Sequence, residues 1–178
     1  LASNASNNRL GIVHRLDRAT SGVMICARNL ATASYLSRQF AERKVKKVYL
    51  ALVSSLPRHQ AARINLPIRR SRRTPAIFVV DGSGKVAITD YTVQKEYSDG
   101  RAFLELRPLT GRTHQLRVHL AYLGCPIVGD AVYGHAHYGD RLMLHAYQLE
   151  ISIPGQDGAK RRIFTAPLPV DFQEAIGG

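Results

Sequence analysis

The chain has 178 residues, of which 45% are hydrophobic and 21% charged, so it is long enough to bury a sizeable core, and we expect one compact domain. Twenty-five Lys and Arg residues stand against thirteen Asp and Glu residues, which gives a formal net charge of +12 at pH 7. This excess is larger than solubility requires and indicates a polyanionic partner. No apolar run reaches the roughly 18 residues of a membrane-spanning helix, so we expect no such helix in this chain.

The cysteines and the first residues bear on the compartment. Cys26 and Cys125 lie far apart among apolar neighbours, which predicts two buried free thiols and excludes a disulfide framework. The initial LASNASNNR has neither the basic start nor the apolar core of a signal peptide. We therefore expect a soluble, cytoplasmic protein, with an organelle left open, and a disordered or loop lead at residues 1–9. Because there is no initiator Met, we also expect that something precedes Leu1 in the natural protein.

Apolar runs predict the elements of the first half of the chain. The run at residues 22–27 has the length of a strand, and Asn29 is a good N-cap for a helix over residues 30–43. VYLALV, at residues 48–53, is typical of a buried strand. Residues 57–75 have no clean period and contain several arginines, which predicts a basic, mobile loop. Four of these arginines lie close together, namely Arg69, Arg70, Arg72 and Arg73.

Two hairpins and a helix are predicted in the second half. Residues 86–97 and 101–107 flank the turn signal Ser98-Asp99-Gly100, and residues 147–153 and 162–164 form a similar pair. Thr113 can cap a helix over residues 113–123, which Gly124 and Pro126 end. Because strands outnumber helices and most connections are hairpins, we expect a single α+β domain. It should contain a large, mainly antiparallel, mixed sheet flanked by a few helices.

Asp17 is the first candidate for chemistry. It is the only acidic residue before Glu42, and it lies between Arg15 and Arg18. Positive neighbours keep such a carboxylate ionised and offset the repulsion of phosphates, so the group suits nucleophilic catalysis on a polyanion. A structural Arg–Asp pair at the end of a loop explains the same residues, and composition alone favours that simpler interpretation.

Five motifs change this balance, because they resemble, in order, those of the RluA family of pseudouridine synthases. HRLDRATSG at residues 14–22 matches the family's HRLDxxTSG signature in every specified residue. KVYLALV at residues 47–53 resembles its KxYxAxV strand, and residues 111–119 match its GRTHQLRVH segment. Residues 124–134 resemble its GxPIxGDxxYG loop, and LMLHA at residues 142–146 resembles its LxLHA strand. The resemblance implies the pseudouridine synthase fold, as a catalytic domain over residues 10–178.

The resemblance also implies an activity, the isomerisation of specific uridines to pseudouridine in structured RNA. Asp17 takes the place of the family's essential aspartate, which attacks the nucleoside so that the uracil detaches, turns and rejoins through carbon; attack on the sugar and on the base both stay open. Tyr49 matches the tyrosine that stacks on the extruded base and is a candidate to move a proton from the 2′ carbon. Arg117 matches the arginine that pairs with the aspartate, which its planar guanidinium can bind bidentately. The plainer alternatives are a core tyrosine and a solvated helix arginine.

The same motifs contain six residues that we predict to contact RNA or to support its binding. They are Arg15, His14, Arg112, Thr113, His114 and Arg18. Arg15 matches the arginine that fills the gap left when the uridine swings out of its stack. For His14 and His114, a hydrogen-bonding role in the scaffold is the favoured alternative. The basic runs at residues 43–47, 69–73 and 160–162 are expected to follow an RNA backbone.

No metal and no cofactor are expected. His114 and His119 are five residues apart and project to different sides of a helix, unlike the four-residue spacing of a helical zinc pair. Neither CxxC nor HExxH occurs. We expect a monomer that acts on a tRNA or ribosomal RNA stem-loop and has no membrane partner.

The chain departs from the family at its start. Members normally carry a strand with an Asn-Lys-Pro-type motif and a Ser/Pro/Gly loop ahead of the HRLD segment. We expect either that a missing piece precedes Leu1 or that the central sheet lacks a strand and exposes an edge. Two other functions stay open: a catalytically idle RNA-binding module that keeps the scaffold, and a metal-dependent nuclease, for which the clustered carboxylates are lacking.

Overall fold

The computed structural model describes residues 11–135 and 140–177, so the predicted lead at residues 1–9 lies outside the described part of the chain. The strands are β1 (Ser21–Gly22), β2 (Lys46–Val53), β3 (Ala61–Asn65), β4 (Ile68–Arg70), β5 (Phe78–Val80), β6 (Ile88–Glu96), β7 (Ala102–Pro108), β8 (Leu144–Ile153) and β9 (Lys160–Thr165). The helices are α1 (Leu30–Ala41), α2 (Gln115–Tyr122) and α3 (Val170–Gly177). None of these three helices has the length and apolar character needed to span a membrane.

Seven strands form one mixed sheet in the order β1-β8-β2-β7-β6-β3, and β9 pairs with β8 further along that strand. β1 runs parallel to β8, whereas all other pairings in this sheet are antiparallel. The predicted hairpins are confirmed as β6–β7 and β8–β9. The predicted strand at residues 48–53 lies within β2. The expected α+β class with a large, mainly antiparallel sheet is therefore confirmed.

Two predictions about strands were wrong. Of the predicted strand at residues 22–27, only Gly22 lies in β1, because the chain then leaves the sheet and Cys26 forms an isolated bridge with Ile12. Residues 57–75 are not a plain loop, since β3 joins the main sheet and β4 pairs with β5 in a separate two-stranded sheet. Their arginines obscure the strand pattern, because the carboxylates that neutralise two of them lie elsewhere in the chain: Arg63 pairs with Asp90, and Arg69 pairs with Asp81.

One of the two predicted helix starts was correct and the other was wrong. α1 begins after Asn29, whose side-chain oxygen accepts a hydrogen bond from the Thr32 amide at 2.8 Å, as predicted. The predicted start of α2 was wrong: the helix begins at Gln115, and the preceding His114 has a left-handed backbone (φ 55°) without a side-chain cap. Thr113 therefore does not cap it. Helix α3 was not predicted from the sequence.

Helices α1 and α2 lie on the same face of the sheet. Leu116 of α2 packs in a core with Leu106, which pairs with Tyr49 of β2. Leu36 of α1 packs with Leu149, which pairs with Lys47, two residues from Tyr49 on β2. Since alternate residues of a strand face the same side, both cores share one face, and the gap between the helices uncovers Lys47 and Tyr49.

Helix α3 covers the opposite face. Phe172 of α3 is fully buried and contacts the rings of Phe103 and His145, edge to face. Their chain neighbours Leu104 and Leu144 belong to the core under α2, so Phe103 and His145 point the other way. The sheet is thus the middle of three layers.

Both cysteines are free thiols, as expected. Cys125 is buried, but the expectation that Cys26 is buried was wrong. The reason is the early end of β1, which leaves Cys26 outside the main sheet.

Candidate active site

Asp17 lies in the loop before β1, and a chain of hydrogen bonds ties the end of this loop to the sheet. Nε2 of His145 lies 3.1 Å from the Ala166 carbonyl, which can only accept, so this nitrogen carries the proton. Nδ1 is then the acceptor of a neutral ring, and Ser21 Oγ donates to it at 2.8 Å. Burial lowers the pKa of His145, which agrees with the neutral form.

Gly22 allows the loop to enter the sheet at this point. Its φ of +122° is one that side-chain-bearing residues rarely adopt, and a Cβ atom would lie 2.2 Å from the Ala146 carbonyl oxygen. Only glycine fits, which explains the last residue of HRLDRATSG in structural terms.

Asp17, Tyr49 and Arg117, from three distant parts of the chain, line one cavity of about 130 Å³. A second cavity adjoins it, and the two share several lining residues, so we treat them together as the cleft. The shared residues are Arg15, Lys47, Tyr49, Thr110, Gly111 and Arg112. The floor of the cleft is the part of β2 that lies between α1 and α2.

The cleft is strongly cationic. The positive side chains in its lining are Arg15, Arg43, Lys47, Arg112 and Arg117. Asp17 is the single carboxylate among the lining residues of both cavities. A ligand with phosphate groups is therefore attracted to the cleft, and the one anionic side chain it meets is Asp17.

Arg117 is held by a different carboxylate from the one that the resemblance implies. Its Nε and Nη2 each donate to Asp130 at 2.8 Å, whereas Nη1 lies 3.6 Å from Asp17 Oδ2. The expected bidentate contact between Arg117 and Asp17 was therefore wrong, because the edge of the guanidinium formed by Nε and Nη2 already binds Asp130. Burial would lower the pKa of Arg117, but the bonds to Asp130 outweigh it and the net shift is upward.

Asp130 is the residue of the site to which sequence reasoning assigned no role. Its side chain is fully buried, and it accepts further hydrogen bonds from the Val132 and Tyr133 amides at 2.9 and 3.0 Å. Burial would raise the pKa of Asp130, yet the bonds from Arg117 and from the two amides hold it below its usual value. The signal was the Gly-Asp pair of the GxPIxGDxxYG resemblance, which pointed to no partner.

Tyr49 lines both cavities of the cleft, and its phenol stays protonated at neutral pH. Burial and the charge of Asp17 together raise the pKa of Tyr49 to about 12. Its ring is half-buried on β2 opposite Leu106 and Ala146. It can therefore offer an aromatic face and a hydroxyl group, but not a phenolate, to an occupant of the cavity.

His14 acts within the scaffold of the loop. Its Nε2 accepts the amide hydrogen of Ile25 at 3.0 Å, and its ring stacks on Phe40 of α1 at 4.6 Å. Burial, and secondarily the charge of Lys47, lower the pKa of His14 to about 4, so the ring is neutral at neutral pH. It also lines the second cavity, and its contact with RNA stays a prediction.

His114 joins α2 to the small sheet. Its Nδ1 lies 2.8 Å from the Tyr133 hydroxyl, which accepts the amide hydrogen of Phe78 in β5 at 2.9 Å. The Tyr133 ring in turn lies under the guanidinium of Arg117, at 5.0 Å. The left-handed backbone of His114 is an uncommon, strained conformation, and here it lies beside the cavity that contains Asp17.

The remaining predicted RNA contacts differ in position. Arg15 is exposed at the cleft, and Thr113 is exposed at the edge of the first cavity. Arg112 lines both cavities, and its Nε donates to the Val86 carbonyl at 3.0 Å. Arg18 is exposed and does not line the cleft. Their contacts with RNA stay predictions.

Two further residues of the motifs have roles that the sequence did not reveal. Gln115 is buried and bonds to Thr110 through Oε1 and to Thr89 through Nε2, which fixes the start of α2 against β6 and the loop after β7. Thr20 lines the first cavity, and its buried hydroxyl has no hydrogen-bond partner among the described residues.

His114, just before α2, and His119, within it, do not point to a common site. Both ring nitrogens of His119 are hydrogen-bonded, to Thr89 Oγ1 and to the Leu66 carbonyl, each at 3.0 Å. His114 points to Tyr133 instead. Within residues 11–135 and 140–177, no group of three or more His, Cys, Asp or Glu side chains is arranged to hold a metal ion.

The fold and the cleft together define an α+β domain whose cationic cleft has one carboxylate among its lining residues. A family model described as RNA pseudouridylate synthase matches residues 1–122, and the chain belongs to this family. The chain is also 42% identical over 168 residues to the ribosomal large subunit pseudouridine synthase D of Borreliella burgdorferi, with 92% of this chain and 51% of that protein covered.

Other similar proteins carry names from the same family. The dual-specificity RNA pseudouridine synthase RluA of Escherichia coli is 40% identical, with 90% of this chain and 73% of that protein covered. The structure of human RNA pseudouridylate synthase domain containing 1 superposes with a TM-score of 0.76 at 35% identity, covering 90% of this chain and 70% of that one. The chain spans about half the length of several of the curated relatives that it matches.

Proposed function

We propose that this chain is the catalytic domain of an enzyme that converts uridine to pseudouridine in structured RNA, with Asp17 as the nucleophile. One observation carries the proposal: Asp17 is the single carboxylate in the lining of a cationic cleft, 3.6 Å from the buried guanidinium of Arg117. The names of the similar proteins support the same reaction.

The reaction suits the groups that line the cleft. The bond between C1′ of the sugar and N1 of uracil breaks, and a bond between C1′ and C5 forms. The proton lost from C5 is balanced by a proton gained at N1, so the product is an isomer of the substrate and no oxidant or reductant is needed. Asp17 supplies the nucleophilic oxygen, to the sugar or to the base. Arg117, held by Asp130, offers Asp17 a positive charge whose position is set before the substrate arrives.

Tyr49 forms the wall against which the extruded base stacks. Its raised pKa keeps it a phenol, so its hydroxyl can donate or accept a hydrogen bond at neutral pH. A protonated phenol can take a proton from the 2′ carbon only if its own proton leaves in the same step. We therefore rank this proton transfer after stacking as a role of Tyr49. Arg15, exposed at the cleft, is placed to enter the vacancy in the RNA and to offset part of the cost of extrusion.

The RNA is proposed to be a stem-loop of ribosomal RNA or tRNA, bound by a monomer in the cytoplasm. The name of the Borreliella relative refers to the ribosomal large subunit, which favours ribosomal RNA. Loop shape decides such recognition, so the target uridine has to be found by mapping pseudouridines in cellular RNA with and without the gene.

The test is single-turnover pseudouridine formation on stem-loop transcripts of that mapped RNA. Asp17→Asn keeps the shape of the side chain and removes the nucleophilic charge, so the yield should fall to background while RNA affinity is kept. Asp157→Asn is the matched control, because the Asp157 side chain is 86% exposed in a distant turn. Equal background yields from the wild-type protein and Asp17→Asn would instead support the idle RNA-binding module.

A further inference from the structure

Lys47 is a charged cleft residue to which the proposed reaction assigns no task. It lies on β2 two residues before Tyr49, so the two side chains leave the same face of the strand about 7 Å apart. Lys47 lines both cavities of the cleft. The adjacent Lys46 points to the other face, where its ammonium lies 3.4 Å from Glu150.

The ammonium of Lys47 has fewer acceptors than it can use. It carries three hydrogens, and the one acceptor found for it in the described part of the chain is the Thr110 carbonyl, at 3.4 Å. Lys47 forms no ion pair with a carboxylate of the described residues. Burial lowers the pKa of Lys47 to about 8, as expected for a charge that the protein solvates poorly.

The surroundings of Lys47 are suited to an anion. Arg15, Arg43 and Arg112 line the second cavity with it, and no carboxylate does. Gly111 lies beside the ammonium, since a Cβ atom there would make an ordinary contact with Nζ at 3.8 Å. The backbone of Gly111 is not left-handed, so its φ does not require a glycine at this position.

We propose that the second cavity is a phosphate-binding site with Lys47 as its central ligand. Its occupant is the phosphodiester next to the nucleotide that reaches Asp17, so the inference rests on the proposed function and adds the contact that sets the register of the RNA. Phosphate oxygens satisfy the two remaining ammonium hydrogens and compensate the buried charge. Contacts of this kind position a nucleic acid without reading its sequence.

The spacing along β2 explains why this contact matters for the reaction. Tyr49 holds the base and Lys47 holds the backbone from the same strand, so the two contacts grip one nucleotide at both ends. A phosphate bound there places the sugar between them, beside the loop of Asp17. Lys47 is in this sense a positioning residue, and its loss should lower RNA affinity and the rate of the reaction together.

The experiment compares Lys47→Met with Lys46→Met. Each variant removes one lysine from the same strand, so net charge changes equally. The probe is the stem-loop transcript used for the activity assay, and its affinity is measured over a range of KCl concentrations. Lys47→Met should weaken binding and reduce the slope of log affinity against log salt by about one. Lys46→Met should leave the slope unchanged.

Two results overturn the proposal. One is a slope for Lys47→Met equal to that of the wild-type protein, which means that this ammonium meets no phosphate. The other is an equal loss of slope in both variants, which means that only the general positive field of the protein matters.

The stability of the same variants is measured to exclude an effect of the substitution on folding. Methionine keeps the length of the side chain and removes a poorly compensated charge, so the urea midpoint of Lys47→Met should equal or exceed that of the wild-type protein. Lys47→Arg keeps the charge and should keep the salt slope. A slope for Lys47→Arg as low as that of Lys47→Met would contradict a contact based on charge.

The source of the phosphate is decided by competition. Inorganic phosphate is exchanged for chloride at equal ionic strength. Displacement of RNA from the wild-type protein, but not from Lys47→Met, means that the site also takes free phosphate. The absence of displacement assigns the site to the RNA backbone.

The two proposals can fail separately. If the wild-type protein makes no pseudouridine but the slope difference persists, the isomerase assignment fails and the phosphate site stands. If the wild-type protein makes pseudouridine and Lys47→Met equals it in slope and rate, the phosphate site fails alone.

Discussion

Arg117 turns the edge formed by Nε and Nη2 towards Asp130, at 2.8 Å for both contacts, and leaves Nη1 for Asp17 at 3.6 Å. The carboxylate that is gripped has no exposed side-chain surface, whereas the Asp17 side chain is 20% exposed. Asp130 thus fixes the direction of the guanidinium, and Asp17 keeps the access that a nucleophile needs. The Arg117–Asp130 pair thus holds a buried positive charge in position before a substrate binds, as the proposed reaction requires.

Asp130→Asn should be severely destabilising. The amide nitrogen would meet the donors of Arg117 and leave a buried positive charge without its anion, which typically costs about 3–5 kcal/mol. The rate of pseudouridine formation should also fall by about 100-fold, because the charge beside Asp17 shifts. Urea unfolding and single-turnover assays measure the two effects.

Asp90→Asn is the matched control for this experiment. Asp90 makes the same two-point contact with Arg63, at 2.7 and 2.8 Å, but that pair is exposed on the sheet. Little change in unfolding is expected there. Equal destabilisation by both substitutions would contradict the role given to burial.

Arg117→Lys separates geometry from charge. A lysine keeps one positive charge, but its single nitrogen cannot hold Asp130 at two points and also face Asp17. The rate at saturating RNA should fall by about 100-fold, with a smaller effect on RNA affinity. Arg63→Lys, at the exposed pair, should leave both quantities near those of the wild-type protein. A rate for Arg117→Lys close to that of the wild-type protein would show that the two-point contact with Asp130 is not needed.

His14 should make the free energy of unfolding depend on acidity. Its folded pKa is about 4 because of burial and the nearby charge of Lys47, against 6.5 for an ordinary histidine. Between these values the unfolded chain binds a proton that the folded protein refuses, so the free energy of unfolding should fall as pH drops from 6.5 towards 4. Above that window the contribution is fully present.

His14→Gln should make this fall shallower, because glutamine keeps an acceptor for the Ile25 amide and does not titrate. Urea unfolding at several pH values measures the difference. Parallel curves for the wild-type protein and His14→Gln would refute the assignment.

Gly129 is expected to tolerate no side chain. Its φ is +78°, and a Cβ atom would lie 1.7 Å from the Arg141 carbonyl oxygen, so Gly129→Ala should displace the loop that carries Asp130. We expect a loss beyond about 4 kcal/mol or failure to fold. Gly124 has nearly the same φ, +77°, with nothing near the Cβ position. Gly124→Ala should cost only about 1–2 kcal/mol for the backbone conformation. Similar urea midpoints for the two variants would contradict the argument from contact.

Local patterns predicted much of the fold correctly. The cap at Asn29, the hairpin turn at Ser98-Asp99-Gly100 and the apolar run of β2 depend on residues close together in the chain, and all three are confirmed. The strands of residues 61–70 were missed because Arg63 and Arg69 are neutralised by Asp90 and Asp81, which local spacing does not reveal.

By itself, the sequence determined the family, through motifs that contain Asp17, Tyr49 and Arg117. It also determined the excess of positive charge that a polyanionic partner requires. Only the tertiary structure decided that Arg117 holds Asp130 more closely than Asp17, and that Lys47 faces the cleft without a carboxylate. The physical reason is that these relations are distances between residues far apart in the chain. Sheet register and the packing of α2 determine such distances, and hydrogen bonds and burial then decide which partner each charge obtains.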